Sequence, residues 1–175
     1  LTALSCLLLI YLIWNIAFRD DETGREVAWL PFFFWSITPL VFWSFTNNML
    51  ENTLSVFALL AVYFSLKGMT TEKHLYVYVG SSSSIFFAFL SKSFVGLFPL
   101  VTIPIYWLVK REPPFAVTLK IFLKFITCTA IIFAVFFSFE APRDFFRENF
   151  KAQIIPSMQG EFNTDAFEVF LAEDQ

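Results

Sequence analysis

The chain has 175 residues, of which 57% are hydrophobic and 15% charged, with a net charge of −3 and 26 phenylalanines. A soluble domain carries roughly 25% charged residues, and here the charges fall in short runs between long apolar ones, which excludes a soluble globular domain. No basic stripe clusters as a nucleic-acid surface would require, and Cys6 and Cys128 lie inside apolar segments, where they read as small buried residues rather than as a disulfide or metal site.

Six apolar segments follow one another. The first, about 2–18, lacks a basic start, and no small-residue cleavage site follows it, so it reads as a spanning helix and not a signal peptide. The chain opens on Leu1 without a methionine and closes on Ala172-Glu173-Asp174-Gln175, the pattern expected of a piece of a longer protein. The second segment covers 27–45. The third is densest over 54–66 and reaches the ~20 residues that a span needs only if its helix starts near Asn47 or Asn48. That extension puts Asn48, Glu51, Asn52 and Ser55 within about two turns. The fourth, 75–90, is marginal and contains the polar run 81–84; the fifth covers 93–109 and the sixth 115–139.

Lys and Arg in the connections set the orientation. Arg19, Arg25, Lys67, Lys73, Lys110 and Arg111, with Lys120 and Lys124, fall on one side; Lys92, Arg143, Arg147 and Lys151 fall on the other. Eight against four makes the first side cytoplasmic. Residues 47–52, 91–93 and the tail from Glu140 then share the outer face. In that tail Phe146, Phe150, Ile154 and Met158 recur every four residues with charges between them, which predicts a helix over 143–158 lying in the membrane interface, limited by Pro156 and Gly160. The expected architecture is all-α: a polytopic membrane helix bundle of about six transmembrane helices over 1–139, then an outer-face juxtamembrane segment, 140–175, with the interfacial helix.

Two residues stand out chemically. A carboxylate on a spanning helix is costly and usually faces a polar cavity, which singles out Glu51. A local reading stands beside this one: Asn48 caps the helix and Glu51 completes a capping box. Lys92, between Ser91 and Ser93, is an ammonium flanked by two hydroxyls at the membrane surface and suited to a phosphate; alternatively it snorkels at a helix end. His74 has no partner His or Cys nearby and reads as a solvated loop residue. No Walker, dinucleotide or nucleophile-elbow motif is present.

Three stretches together resemble the C-type membrane glycosyltransferases, the bacterial relatives of protein mannosyltransferases and of lipid A aminoarabinose transferases. One is Thr38-Pro39-Leu40-Val41-Phe42-Trp43 followed by Asn48-Met49-Leu50-Glu51-Asn52-Thr53-Leu54 and a helix ending in Tyr63-Phe64. The second is Ala88-Phe89-Leu90-Ser91-Lys92-Ser93-Phe94-Val95-Gly96-Leu97. The third is Glu140-Ala141-Pro142 after a helix, then Phe150, Gln153 and Gly160. The resemblance covers nearly the whole chain. It implies an enzyme that moves a sugar from a polyprenyl-phosphate carrier to a lipid, glycan or protein acceptor at the outer face of the bacterial inner membrane. It implies that Glu51 is the acidic site residue near sugar or acceptor, with Asn48 and Asn52 beside it. Lys92 would lie near the lipid phosphate, and Glu140 and Gln153 in the outer loop that closes over the carrier.

The pattern departs from the family in three places. The position of Glu51 is often Asp there, Ser93 stands where a glycine is usual, and the first outer loop with its acidic catalytic motif is expected before Leu1. Sugar transfer needs a carboxylate to activate the acceptor and a cation to stabilise the departing phosphate. A divalent metal ion would help to hold that phosphate, although no residue cluster marks a metal site. No cofactor is otherwise implied, and no nucleic acid. The competing reading is a membrane transporter with Glu51 on the substrate or ion path, for which the run 81–84 and Pro99 and Pro104 speak. A non-catalytic assembly subunit has no positive signal.

Overall fold

The computed structural model describes residues 2–19, 21–39, 41, 43, 50–140 and 143–144. The chain forms two compact units, 1–133 and 134–175; the described part of the second begins with the last turn of a long helix and ends at Asp144. The architecture is all-α, with no strand among the described residues. In order come α1 (Thr2–Ala17), α2 (Glu22–Glu26), α3 (Trp29–Ile37) and α4 (Leu50–Thr70). A π-helical segment (Tyr76–Ser81) runs into α5 (Ser82–Lys92), and a 3-10 segment (Ser93–Val101) into α6 (Thr102–Lys110). α7 (Phe115–Phe137) follows.

Three helical stretches are long and apolar enough to cross a membrane: Glu51–Thr70, Tyr76–Lys110 and Phe115–Phe137. No more than 33% of each apolar window is buried inside the protein. Leu90, Leu108, Leu123 and Ile131 are among the large side chains left on the outside. Apolar surface on that scale suits lipid and not water. This is a membrane helix bundle.

The middle stretch is not one rod. Lys92 leaves helical geometry at φ −149° and ψ 40°, and Ser93 follows at φ 48° and ψ −132°. The chain there doubles back on itself. The reversal brings Gly96 so close to the backbone of Ala88 and Phe89 that no Cβ fits between them; only glycine allows that approach. His74 below the outgoing arm and Tyr106 and Lys110 at the end of the returning arm consequently line one cavity. The stretch thus holds the fourth and fifth apolar segments as an antiparallel hairpin, and the turn falls in the connection read from the sequence. α4 reaches the length of a span, 21 residues from Leu50 to Thr70, by continuing past Leu66 at its C-terminal end; the expected start at Asn47 or Asn48 lies outside the described residues. α1, at 16 residues, is about 24 Å long against a hydrocarbon core of about 30 Å. α3 is the described helix of the second segment.

Small residues decide how α4 meets the hairpin. Ala61, Ser65 and Gly68 lie on one face of α4 and are buried. Gly68 sits against Val77, and Gly80 against the Phe64 ring. Where lipid is as apolar as the side chains, close backbone approach and hydrogen bonds hold helices together. Ser65 and Ser81 share such a bond at 2.8 Å, and Ser81 donates to the Ala61 carbonyl at 2.9 Å. On the neighbouring helix Thr129 donates to the Ser82 hydroxyl at 3.0 Å. The run 81–84, whose polarity stood out in the sequence, therefore joins the hairpin to α4 through Ser81 and to α7 through Ser82, while Ser84 bonds back to Gly80. Ile85, Ile103, Ile121 and Phe125 complete the core around Ala61, Met69 and Val77.

Candidate functional site

Helix polarity and charge place a carboxylate at the start of α4 and an ammonium at the end of α5. Glu51 is in the first turn of its helix and Lys92 in the last turn of its own, each where the helix dipole favours its sign. α4 and the outgoing arm run antiparallel, so these two ends coincide. Lys92 Nζ donates to Glu51 Oε1, joining residues 41 apart in sequence. Both side chains are nearly half exposed, 45% for Lys92 and 46% for Glu51. The pair is thus open to a ligand from one side and does not form a sealed structural bridge.

The surroundings of the pair are mixed. Asn52, next to Glu51, is buried at 4% exposure and faces the bundle. Ser55 donates to the Glu51 carbonyl at 2.8 Å, and Ser91 to the Phe87 carbonyl at 3.0 Å, so both hydroxyls are spent on their own helices. Of the two hydroxyls flanking Lys92 in sequence, Ser93 alone lies outside such a bond, on the exposed turn. Phe57 and Phe87 stack at 5.2 Å between α4 and α5, five to six residues along the helices from the pair. The structure therefore brings together Glu51 and Lys92, with Asn52 behind them. Glu140 is exposed in the second unit. Asn47, Asn48, Gln153 and all but the first residues of the expected interfacial helix 143–158 lie outside the described residues, and with them the capping box. Among the described residues no group of three or more His, Cys, Asp or Glu side chains gathers to hold a metal ion.

The opposite end of the bundle holds a second feature that sequence reasoning passed over. A cavity of about 800 Å³ opens there between the end of α1, the turn after α4 and the turn between α6 and α7. Arg19, Glu72, His74, Lys110 and Glu112 contribute to its wall. His74, read from the sequence as a solvated loop residue, has its Nδ1 buried with no hydrogen-bond partner. The signal that was available was that each of the three same-side connections carries both cations and acids. Nothing in the spacing showed that those connections converge.

Comparison with known proteins gives no relative to lean on: no family model, no curated protein and no solved structure matches this chain.

Proposed function

We propose that this chain belongs to an integral-membrane glycosyltransferase that moves a sugar from a polyprenyl-phosphate carrier to an acceptor at the outer face of a bacterial inner membrane. The observation that supports the reading is the Glu51–Lys92 pair: an acid and a cation in contact, half exposed, at one end of a lipid-facing bundle. Lys92 has three donors and gives one to Glu51. Two remain for the oxygens of a lipid phosphate lying at the membrane surface. The second carboxylate oxygen of Glu51 is available to orient an acceptor hydroxyl. In the transfer, the acceptor oxygen bonds to the anomeric carbon as the bond from that carbon to the phosphate oxygen breaks. The acceptor's proton leaves to a carboxylate, and the polyprenyl phosphate departs with its charge held by the ammonium.

The test supplies polyprenyl-phosphate-linked radiolabelled sugar to membranes containing the whole protein and measures release of polyprenyl phosphate. Glu51→Gln and Lys92→Gln are each expected to lower release at least tenfold at equal protein level. Release that is independent of both residues would reject the reading.

A second reading has its own support. The π-helical and 3-10 segments are departures from α geometry within a membrane hairpin, as in transporters with interrupted helices. On that reading Glu51 lies at the mouth of a substrate or ion path, and solute flux into proteoliposomes would depend on Glu51 with no lipid-linked sugar present.

A further inference from the structure

The cavity at the far end from Glu51 is lined by two cations, Arg19 and Lys110, and two carboxylates, Glu72 and Glu112. Their charges sum to zero, yet among the described residues none of the four forms an ion pair with another within 4 Å. Charges of both signs gathered around one space, and not spent on each other, are complementary to a ligand that itself carries both signs. The apolar residues Met69 and Val117 share the wall. The cavity also lies where three apolar helices, α1, α4 and α6, come to an end. That is the level of the membrane surface, where lipid headgroups lie.

We propose that this cavity binds a zwitterion made of a phosphate and a primary amine, the chemistry of a phosphoethanolamine group. Arg19 and Lys110 take the phosphate oxygens; guanidinium and ammonium both form charge-assisted bonds to them. Glu72 and Glu112 accept from the amine, which has three N–H donors. A simple anion such as inorganic phosphate would meet two carboxylates and gain less. A quaternary amine has no N–H to give and would lose the carboxylate half of the site. Because its Nδ1 is walled in, His74 has only Nε2 to offer the ligand. The same chemistry reaches the cavity from either of two sources, a lipid headgroup in the bilayer or a free phosphoethanolamine in the aqueous phase.

The experiment uses the whole chain purified and reconstituted in nanodiscs of phosphatidylcholine. Binding is read by native mass spectrometry as phosphatidylethanolamine or phosphatidylglycerol is added, and by titration with soluble phosphoethanolamine. Phosphatidylethanolamine is expected to bind at least tenfold more tightly than either phosphatidylglycerol or the phosphatidylcholine background. Loss of one charge-assisted bond corresponds to about tenfold in affinity, so Lys110→Gln and Glu112→Gln should each weaken binding by about that factor. Lys73→Gln, in the same turn as His74 but outside the cavity wall, should not. Displacement of the lipid by soluble phosphoethanolamine at similar concentration identifies a free ligand as the source; retention of the lipid alone identifies the headgroup. Phosphatidylglycerol binding as tightly as phosphatidylethanolamine would overturn the proposal in favour of a plain anion site. So would affinity that is unchanged in both Lys110→Gln and Glu112→Gln while the protein remains monodisperse.

Discussion

Ser65 and Ser81 meet at 2.8 Å with neither exposed to solvent, and the Ser81 hydroxyl also reaches the Ala61 carbonyl. This polar contact fixes the register of the hairpin against α4. Ser81→Ala removes both bonds and leaves the Ser65 hydroxyl to find another acceptor. Its expected cost is about 1 kcal/mol, since hydrogen bonds between membrane helices are worth roughly 0.6 kcal/mol on average. Ser81→Val, which adds bulk to the same seam, should cost more, about 2 kcal/mol. Equilibrium unfolding in mixed detergent micelles measures both.

Gly96 allows no side chain, because a Cβ would fall on the backbone of Ala88 and Phe89. Backbone cannot step aside as a flexible side chain does. Gly96→Ala is therefore expected to destabilise the hairpin by about 2–3 kcal/mol. Gly68→Ala meets the Val77 side chain most closely and backbone only at 3.1 Å or more, and should be milder in the same unfolding assay.

The Glu51–Lys92 pair is half exposed, so its contribution to stability is screened. Charge reversal tests it directly. Glu51→Lys and Lys92→Glu should each lower resistance to detergent unfolding, and the double reversal should recover most of the loss. High salt should shrink the difference. If the double variant recovers stability and not sugar transfer, the pair acts in the site as well as in the fold.

Orientation has its own check. Residues 19, 72, 74, 110 and 112 contribute to one cavity, while 51 and 92 meet at the other end. In a background without Cys6 and Cys128, single cysteines at 73 and 92 should react oppositely with a membrane-impermeant thiol reagent in intact cells. Position 92 is expected to label from outside and position 73 only after lysis. Reaction of position 73 in intact cells would invert the assigned orientation.

The helical segments were legible because the requirement of an apolar run of about twenty residues leaves few choices. The turn at Lys92 and Ser93 was legible too, since a charge there interrupts two apolar runs. Glu51 stood out for the cost of a carboxylate on a spanning helix, and Lys92 as an ammonium between two hydroxyls at the membrane surface. Their contact was not, because it depends on two antiparallel helices ending at the same height, which no local pattern encodes. The run 81–84 was ambiguous for a related reason. Polarity in a spanning helix signals that something is hydrogen-bonded, but not whether the partner is a solute or, as for Ser81 and Ser82, a hydroxyl on the next helix. The cavity at the Arg19 end stayed hidden because its walls come from three separate connections.

The reversal at Lys92 also has a consequence for how the chain is expected to enter its membrane. The two arms on either side, 76–92 and 93–110, are of near-equal length and packed together at Gly96, so the hairpin is expected to insert as one piece with the lysine at its leading tip. Glu51 is made first, 41 residues ahead of Lys92. On that route the ammonium is expected to reach the far surface after the carboxylate. Removing Glu51 would then slow delivery of the hairpin during biogenesis, a delay visible in pulse-labelled cells before any mature protein is assayed.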